Sequence, residues 1–242
     1  MPTPRTCWPR HRWKSEPVAE RDERDLLLYL RDLRWLDVDR GAGAGEFLAD
    51  NLPEASDGSK APLDALAVQA SSCRRCRLAA NRRKVVFGVG NPHARLMFVG
   101  EGPGAEEDAQ GVPFVGRAGQ LLTAMIRAMR LRREDVYIAN IVKCRPPGNR
   151  DPESDEAAAC LPYLRHQIEL VDPAVIVLLG RVAARFLLGT TAPMHSYRGV
   201  WTSWEGRDVL PTFHPAYLLR NPAAKAQAWT DLQQLRAFWG PE

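Results

Sequence analysis

Four short apolar runs, RLMFVG at 95–100, DVYIANIV at 135–142, AVIVLLG at 174–180 and VLPTF at 209–213, alternate with stretches of helical character at 119–130, 154–171, 181–188 and 223–239. A strand that is apolar along its whole length, rather than at every second position, has both faces buried. Strands of that kind separated by helices call for a parallel sheet covered on both sides, because each helical crossover lies on one face. The expected class is therefore α/β. A chain of 242 residues, 45% of them apolar, is long enough for one substantial core and a small appendage.

The appendage is expected at the front. Glu20 to Val38 carries Leu26, Leu30, Leu33 and Leu36 at helical spacing and stops before GAGAG at 41–45. Residues 46–62 mix Pro, Gly, Asp and Ser. The spacing predicts an amphipathic extension over 1–45, a linker over 46–62 and the main domain over 63–242. No run of eighteen apolar residues occurs, and the basic start MPTPRTCWPRHRWKSEP lacks an apolar core. Neither a membrane span nor a secretory signal is expected, and the cytoplasm is the expected location. The formal charge of +4, with arginines clustered in RRCRLAANRRK, suits a polyanion but also an ordinary solvated face.

Five cysteines without an export signal argue against a disulfide framework. Cys73 and Cys76 are two residues apart, Cys144 and Cys160 have fifteen residues between them, and Cys7 stands alone. Four thiolates from two distant segments suit zinc or an iron-sulfur cluster. The alternative is that Cys144 and Cys160 are small buried apolar residues.

Directly after the first run comes GEGPGAEED (100–108). Glycine-rich turns after strands usually present N–H groups to phosphates, yet four acids repel a phosphate. Neither a G-x-x-x-x-G-K-[ST] nor a G-x-G-x-x-G pattern is present, and the next helix is expected only from about Gly119. This turn, NIVKCRPPGNRDP after the second run and HPAYLLRNP after the fourth all fall at the carboxyl edge of one sheet, where open α/β sheets bind ligands.

GEGPG with EED, PFVGRAGQLL, ANIVKCRPP and HPAYLLRNP, together with the cysteine spacing, resemble the family 4 uracil-DNA glycosylases from about residue 63 to 239. The resemblance implies a three-layer αβα sandwich around a four-stranded parallel sheet, a 4Fe-4S cluster on Cys73, Cys76, Cys144 and Cys160, and removal of uracil from single- or double-stranded DNA by a protein expected to act as a monomer. It answers what the turn holds. A base flipped out of DNA needs close backbone approach, here from Gly102, Pro103 and Gly104, without phosphate affinity.

By the same resemblance Phe114 stacks on the base, and Asn140 reads it: a carboxamide accepts from N3–H and donates to O4, whereas cytosine presents the reverse order. His214 is placed to bond O2 as charge develops on the departing base. Gly102 stands where better-known uracil glycosylases have an aspartate. Of the remaining acids, Glu107 is the expected holder of water, Glu101 the shaper of the pocket, and Asp108 an exposed loop acid or a further candidate. Leu218 and Leu219 are expected to wedge into the base stack beside Arg220, unless they begin the core face of the last helix, and Arg145 to meet the DNA backbone. Two other readings remain: a relative that crosslinks to uracil-DNA, for which His195 and Arg198 are the residues to test, and a non-enzymatic nucleic-acid adaptor.

Overall fold

The computed structural model of the protein describes residues 60–239. The expected helix at Glu20–Val38, the glycine linker and Cys7 lie outside them. Residues 51–242 belong to one compact unit. Its first helix, α1 (Lys60–Ser71), begins within the stretch read as linker and buries Leu63 and Ala70.

The sheet has six strands in the order β1-β3-β2-β4-β6-β5. Its centre is the expected set of four parallel strands: β2 (Leu96–Gly100), β3 (Tyr137–Asn140), β4 (Val175–Leu179) and β6 (Arg207–Thr212). Every residue of β2, β3 and β4 is buried, which is why these segments read as unbroken apolar runs. Two short antiparallel strands, β1 (Val89–Gly90) and β5 (Thr202–Trp204), extend the edges. They were not foreseen because two or three half-exposed residues carry no alternation to read.

Alternate side chains divide between the faces. Met97, Val99, Ala139, Ile176 and Leu178 join one core cluster with α1, α4 (Ser154–Val171) and α5 (Gly180–Leu188), while Leu96, Phe98, Ile138, Val175 and Val177 point the other way. The remaining helices are α2 (Ala105–Gln110), α3 (Arg117–Ala128), α6 (Pro215–Arg220) and α7 (Lys225–Trp239), which packs on β6. From β2 the chain steps to β3 on one side and then to β4 on the other. The crevice at the carboxyl ends of β2 and β4 is thus the topological switch point, where a ligand is expected.

Helix α2 corrects the sequence expectation that no helix begins between the glycine-rich turn and about Gly119. Glu107 makes the difference: its carboxylate accepts the N–H of Gly104, 3.1 Å away, and caps the helix from within. Acids in a first turn also complement the helix dipole. A glutamate already occupies the N-terminal donor that a phosphate would have used.

The loop after β3 is anchored through Glu156, a fully buried carboxylate near the start of α4. It accepts both Arg150 guanidinium nitrogens at 2.8 and 2.7 Å and the Glu153 N–H at 2.8 Å, and Arg77 Nε lies 3.0 Å away. One side chain therefore ties the RPPGNR loop and the segment after Cys76 to one helix. Those hydrogen bonds to Arg150, with Glu153 and Arg77 adding, hold the Glu156 carboxyl down to about 2. A depressed carboxyl stabilises the fold above its unfolded value of about 4.3 and loses that contribution as pH falls toward 2. Glu156→Gln is expected to cost about 2 kcal/mol at neutral pH and to flatten the fall in stability between pH 4.5 and 2. Chemical denaturation midpoints of the two proteins across that range check this.

Candidate active site

A cavity of about 810 Å³ opens at the switch point. The turn after β2 supplies Glu101, Gly102, Pro103, Gly104 and Glu107, the end of β3 supplies Asn140, the end of β4 supplies Gly180, and the segment after β6 supplies His214 and Arg220. Phe114 completes the set. Four segments separate in sequence thus meet in one space, as their positions at strand ends demand.

Asn140 is 1% exposed, and its Oδ1 has no hydrogen-bond partner. A buried acceptor left unpaired costs free energy of about 1 to 3 kcal/mol, so its position against the cavity wall suits a donor on a bound molecule. Beside it Phe114 is held in a left-handed backbone conformation at φ 52°, unusual for a bulky residue and typical of sites where geometry outranks strain. Two glycines make room. A Cβ on Gly100 would stand 2.5 Å from both Asn140 Oδ1 and Phe114 Cζ, and one on Gly119 would stand 2.0 Å from the Phe114 carbonyl. Glycine at 100 and at 119 is therefore a requirement of close packing.

Across the cavity the His214 ring lies 5.6 Å from the Phe114 ring. His214 caps α6, its Nδ1 accepting the Ala216 N–H at 3.1 Å. In the neutral ring the proton then sits on Nε2, leaving a donor. Burial, with Arg220 adding and Glu107 opposing, holds the imidazole down to about 4, so it is neutral at physiological pH. Gly180, at φ 88°, brings β4 close enough that a Cβ there would approach His214 Cβ to 2.8 Å.

The acids differ from expectation. Glu107 was the expected holder of water, but its oxygens also accept the N–H groups of Val115 and Gly116 at 3.0 and 2.9 Å. With Gly104 that fills three of about four acceptor positions, and the side chain serves chiefly to close the turn onto the Phe114 segment. Asp108 is not an exposed loop acid: it is 3% exposed and accepts the Arg83 N–H at 2.9 Å. Glu101 faces the cavity with its carboxyl pushed up to about 7 by burial, the nearby Asp151 adding and Arg181 and Arg220 opposing. Asp151 and Arg181, paired at 2.5 Å, also line the cavity and were not singled out in the sequence. Asp151 follows directly on RPPGNR, and that placement was the available signal.

At the rim, Leu218 is buried at 1% exposure and cannot wedge into a base stack. The six-residue helix α6 turns positions 215 and 218 inward and leaves Tyr217 outside, 38% exposed and stacked on Phe213 at 4.9 Å. Leu219 is half-buried and Arg220 is exposed. Arg145 is half-buried with its Nε on Asn149 Oδ1 at 2.8 Å, outside the cavity lining. His195 does line the cavity, whereas Arg198 is bound to the buried Asp231 at 2.5 Å.

The four cysteines line a second, small cavity between α1, the segment around Cys76, the loop after β3 and α4. Arg82 Nη1 reaches Cys144 Sγ at 3.4 Å and the Lys143 N–H reaches Cys160 Sγ at 3.3 Å. Burial pushes the Cys160 thiol up to about 11. Among the described residues no group of three or more His, Cys, Asp or Glu is placed to hold a single metal ion.

Residues 87–233 match the family model described as the uracil DNA glycosylase superfamily. The chain is 47% identical over 180 residues to the type-4 uracil-DNA glycosylase of Thermotoga maritima, an alignment covering 73% of this chain and 94% of that protein. It is 41% identical over 186 residues to the type-4 uracil-DNA glycosylase of Archaeoglobus fulgidus, covering 74% and 94%. A type-5 uracil-DNA glycosylase of Pyrobaculum aerophilum is 33% identical over 150 residues, covering 54% of this chain and 66% of its own length.

Proposed function

The chain belongs to the uracil DNA glycosylase superfamily, and from that premise we propose that it is a monofunctional type-4 glycosylase that hydrolyses the bond between uracil and deoxyribose in DNA. The observation that carries this reading is the unpaired Oδ1 of Asn140 in a cavity between Phe114 and a neutral His214. A uracil flipped out of DNA presents N3–H to that oxygen and O4 to the amide nitrogen, its face stacks on Phe114, and its O2 meets the His214 Nε2 proton. Cytosine would offer a lone pair where Asn140 offers one as well.

As the glycosidic bond breaks, electrons pass to the base and positive charge develops on the sugar. A neutral histidine donates to O2 of the departing anion without giving up its proton, and burial makes that hydrogen bond strong. Ionised Glu101 favours the cationic sugar and the attacking water, with Asp151 beside it. Arg220 and Arg181 at the rim suit the flanking phosphates, and exposed Tyr217, rather than Leu218, occupies the position from which a side chain can fill the gap left by the base.

The cysteine cavity suits a 4Fe-4S cluster held by Cys73, Cys76, Cys144 and Cys160. Its fit rests on four thiols around one space and on donors from Arg82 and from the Lys143 backbone to two of the sulfurs. Bound there, it would supply a rigid junction between α1, the loop after β3 and α4, far from any chemistry on the base. The protein as purified without air is expected to be brown with about four iron atoms per chain. Stoichiometric zinc in a colourless preparation would overturn the assignment.

A labelled oligonucleotide carrying one uracil tests the activity. Free uracil is the expected product. An adduct stable to SDS would instead favour the crosslinking reading, with His195 on the cavity wall as its nucleophile, and no reaction would favour the adaptor. In single-turnover release with saturating enzyme, His214→Ala is expected to lose about a hundredfold in rate while DNA affinity stays within a few-fold.

The raised Glu101 carboxyl gives the reaction a pH signature. A group with its value near 7 is ionised only above it, while His214, with its value near 4, is neutral throughout that range. Single-turnover rates are therefore expected to rise with pH through about 7 with the slope of one proton, and Glu101→Gln is expected to be slower and flat. A wild-type profile level from pH 5.5 to 8.5 would remove Glu101 from this role.

A further inference from the structure

Lys143, three residues past the end of β3 and next to Cys144, is 2% exposed. Its Nζ donates to the main-chain carbonyl of Asn140 at 2.9 Å and to Gln167 Oε1 at 2.5 Å, and lies 5.9 Å from the Phe87 ring centroid. No carboxylate forms an ion pair with it among the described residues. Gln167 is held in turn, its Nε2 donating to the Phe87 carbonyl at 3.0 Å and to the Tyr137 hydroxyl at 3.1 Å. Burying an ammonium with no carboxylate paired to it is costly, and an apolar side chain would fill the same space at lower cost. Packing alone does not account for a lysine here.

The carbonyl it binds explains its presence. β3 ends at Asn140, so that residue's carbonyl lies at the limit of the strand ladder and needs a donor from elsewhere. The side chain from three residues later folds back and supplies one, in a charge-assisted bond about twice as strong as a neutral one. We propose that Lys143 is a positioning residue, its ammonium clamping the Asn140 main chain so that the unpaired carboxamide oxygen faces the flipped base at the required angle. The clamp also links the two cavities. The Lys143 N–H donates to Cys160 Sγ, and its carbonyl accepts the Val86 N–H at 2.8 Å, so the backbone of the clamp is fixed from the cysteine side while its head fixes the reader of the base.

This inference rests on the reading of Asn140 as the residue that recognises uracil. The test compares wild type, Lys143→Met, Asn140→Ala and the double variant, each isolated folded and with its iron content and visible absorbance matched. Lys143→Met is expected to lose tenfold or more in single-turnover uracil release and to be inhibited more weakly by free uracil, while binding DNA that carries an abasic analogue within about twofold of wild type. In the Asn140→Ala background the same change is expected to have little further effect, because a residue acting through Asn140 has nothing left to position. Should Lys143→Met fail to accumulate as folded protein, Lys143→Gln, which keeps one donor on a shorter stem, is expected to show a smaller loss with the same dependence on Asn140. A folded variant that releases uracil at the wild-type rate, or a loss that multiplies in full with Asn140→Ala, would overturn the inference while leaving the glycosylase reading intact. A wild-type protein that frees no uracil would sink both.

Discussion

Three backbone N–H groups, from Gly104, Val115 and Gly116, converge on the carboxylate of Glu107, and the shape of the cavity follows from that convergence. It starts α2 directly after the glycine-rich turn and draws the segment around Phe114 back across it. Phe114 can then adopt a left-handed backbone and lie within reach of Asn140 and His214. The strain at Phe114 is offset by Glu107 and tolerated only because Gly100 and Gly119 have no Cβ. The acid in this turn is therefore first a scaffold element.

A second set of pins ties the loop after β3 and helix α2 to the segment after Cys76. Glu156 gathers Arg150, Arg77 and the start of α4, and Asp108 gathers the Arg83 N–H. Both connections run between the arginine-rich segment that follows Cys76 and the two loops lining the cavity. The cluster of arginines in the sequence is thus partly structural, which explains why charge alone said little about partners. Buried carboxylates that accept several charge-assisted or backbone hydrogen bonds hold loops more firmly than exposed pairs such as Arg165–Glu205, which contribute little.

What was legible in the sequence follows from burial. The central strands are buried on both faces, so their runs gave the parallel centre and its order of elements, and the residues after strand ends line one cavity. Asn140, Phe114 and His214 meet in one cavity because strand ends converge, a consequence of topology visible in the motifs. The edge strands were too short to read. Helix α2 was hidden because AEEDAQ after GPG looks like a polar loop until Glu107 is seen as an internal cap. The phase of α6 decided between Leu218 and Tyr217, and a one-residue difference in where a short helix begins lies below what a sequence pattern resolves. Asp151 and Lys143 lie inside the motif after the second run and Arg181 just after the third, but no pattern marks them individually; their significance comes from which groups they touch.

In the proposed reaction the electrostatics of the cavity divide by the charge that each side must meet. On the base side an imidazole held neutral by burial and by Arg220 faces the atom that becomes negative. A charged imidazolium would bind that anion more tightly, but keeping one in this buried position beside Arg220 would itself be costly, and the neutral donor avoids that cost before the bond breaks. On the sugar side the Glu101 carboxyl is raised by burial and by Asp151, then moderated by Arg181 and Arg220, so that it remains ionisable near neutral pH. Arg220 acts on both groups in the same direction, favouring the neutral imidazole and the ionised carboxylate together. One exposed arginine at the mouth thereby biases both groups toward the protonation states that the proposed reaction uses.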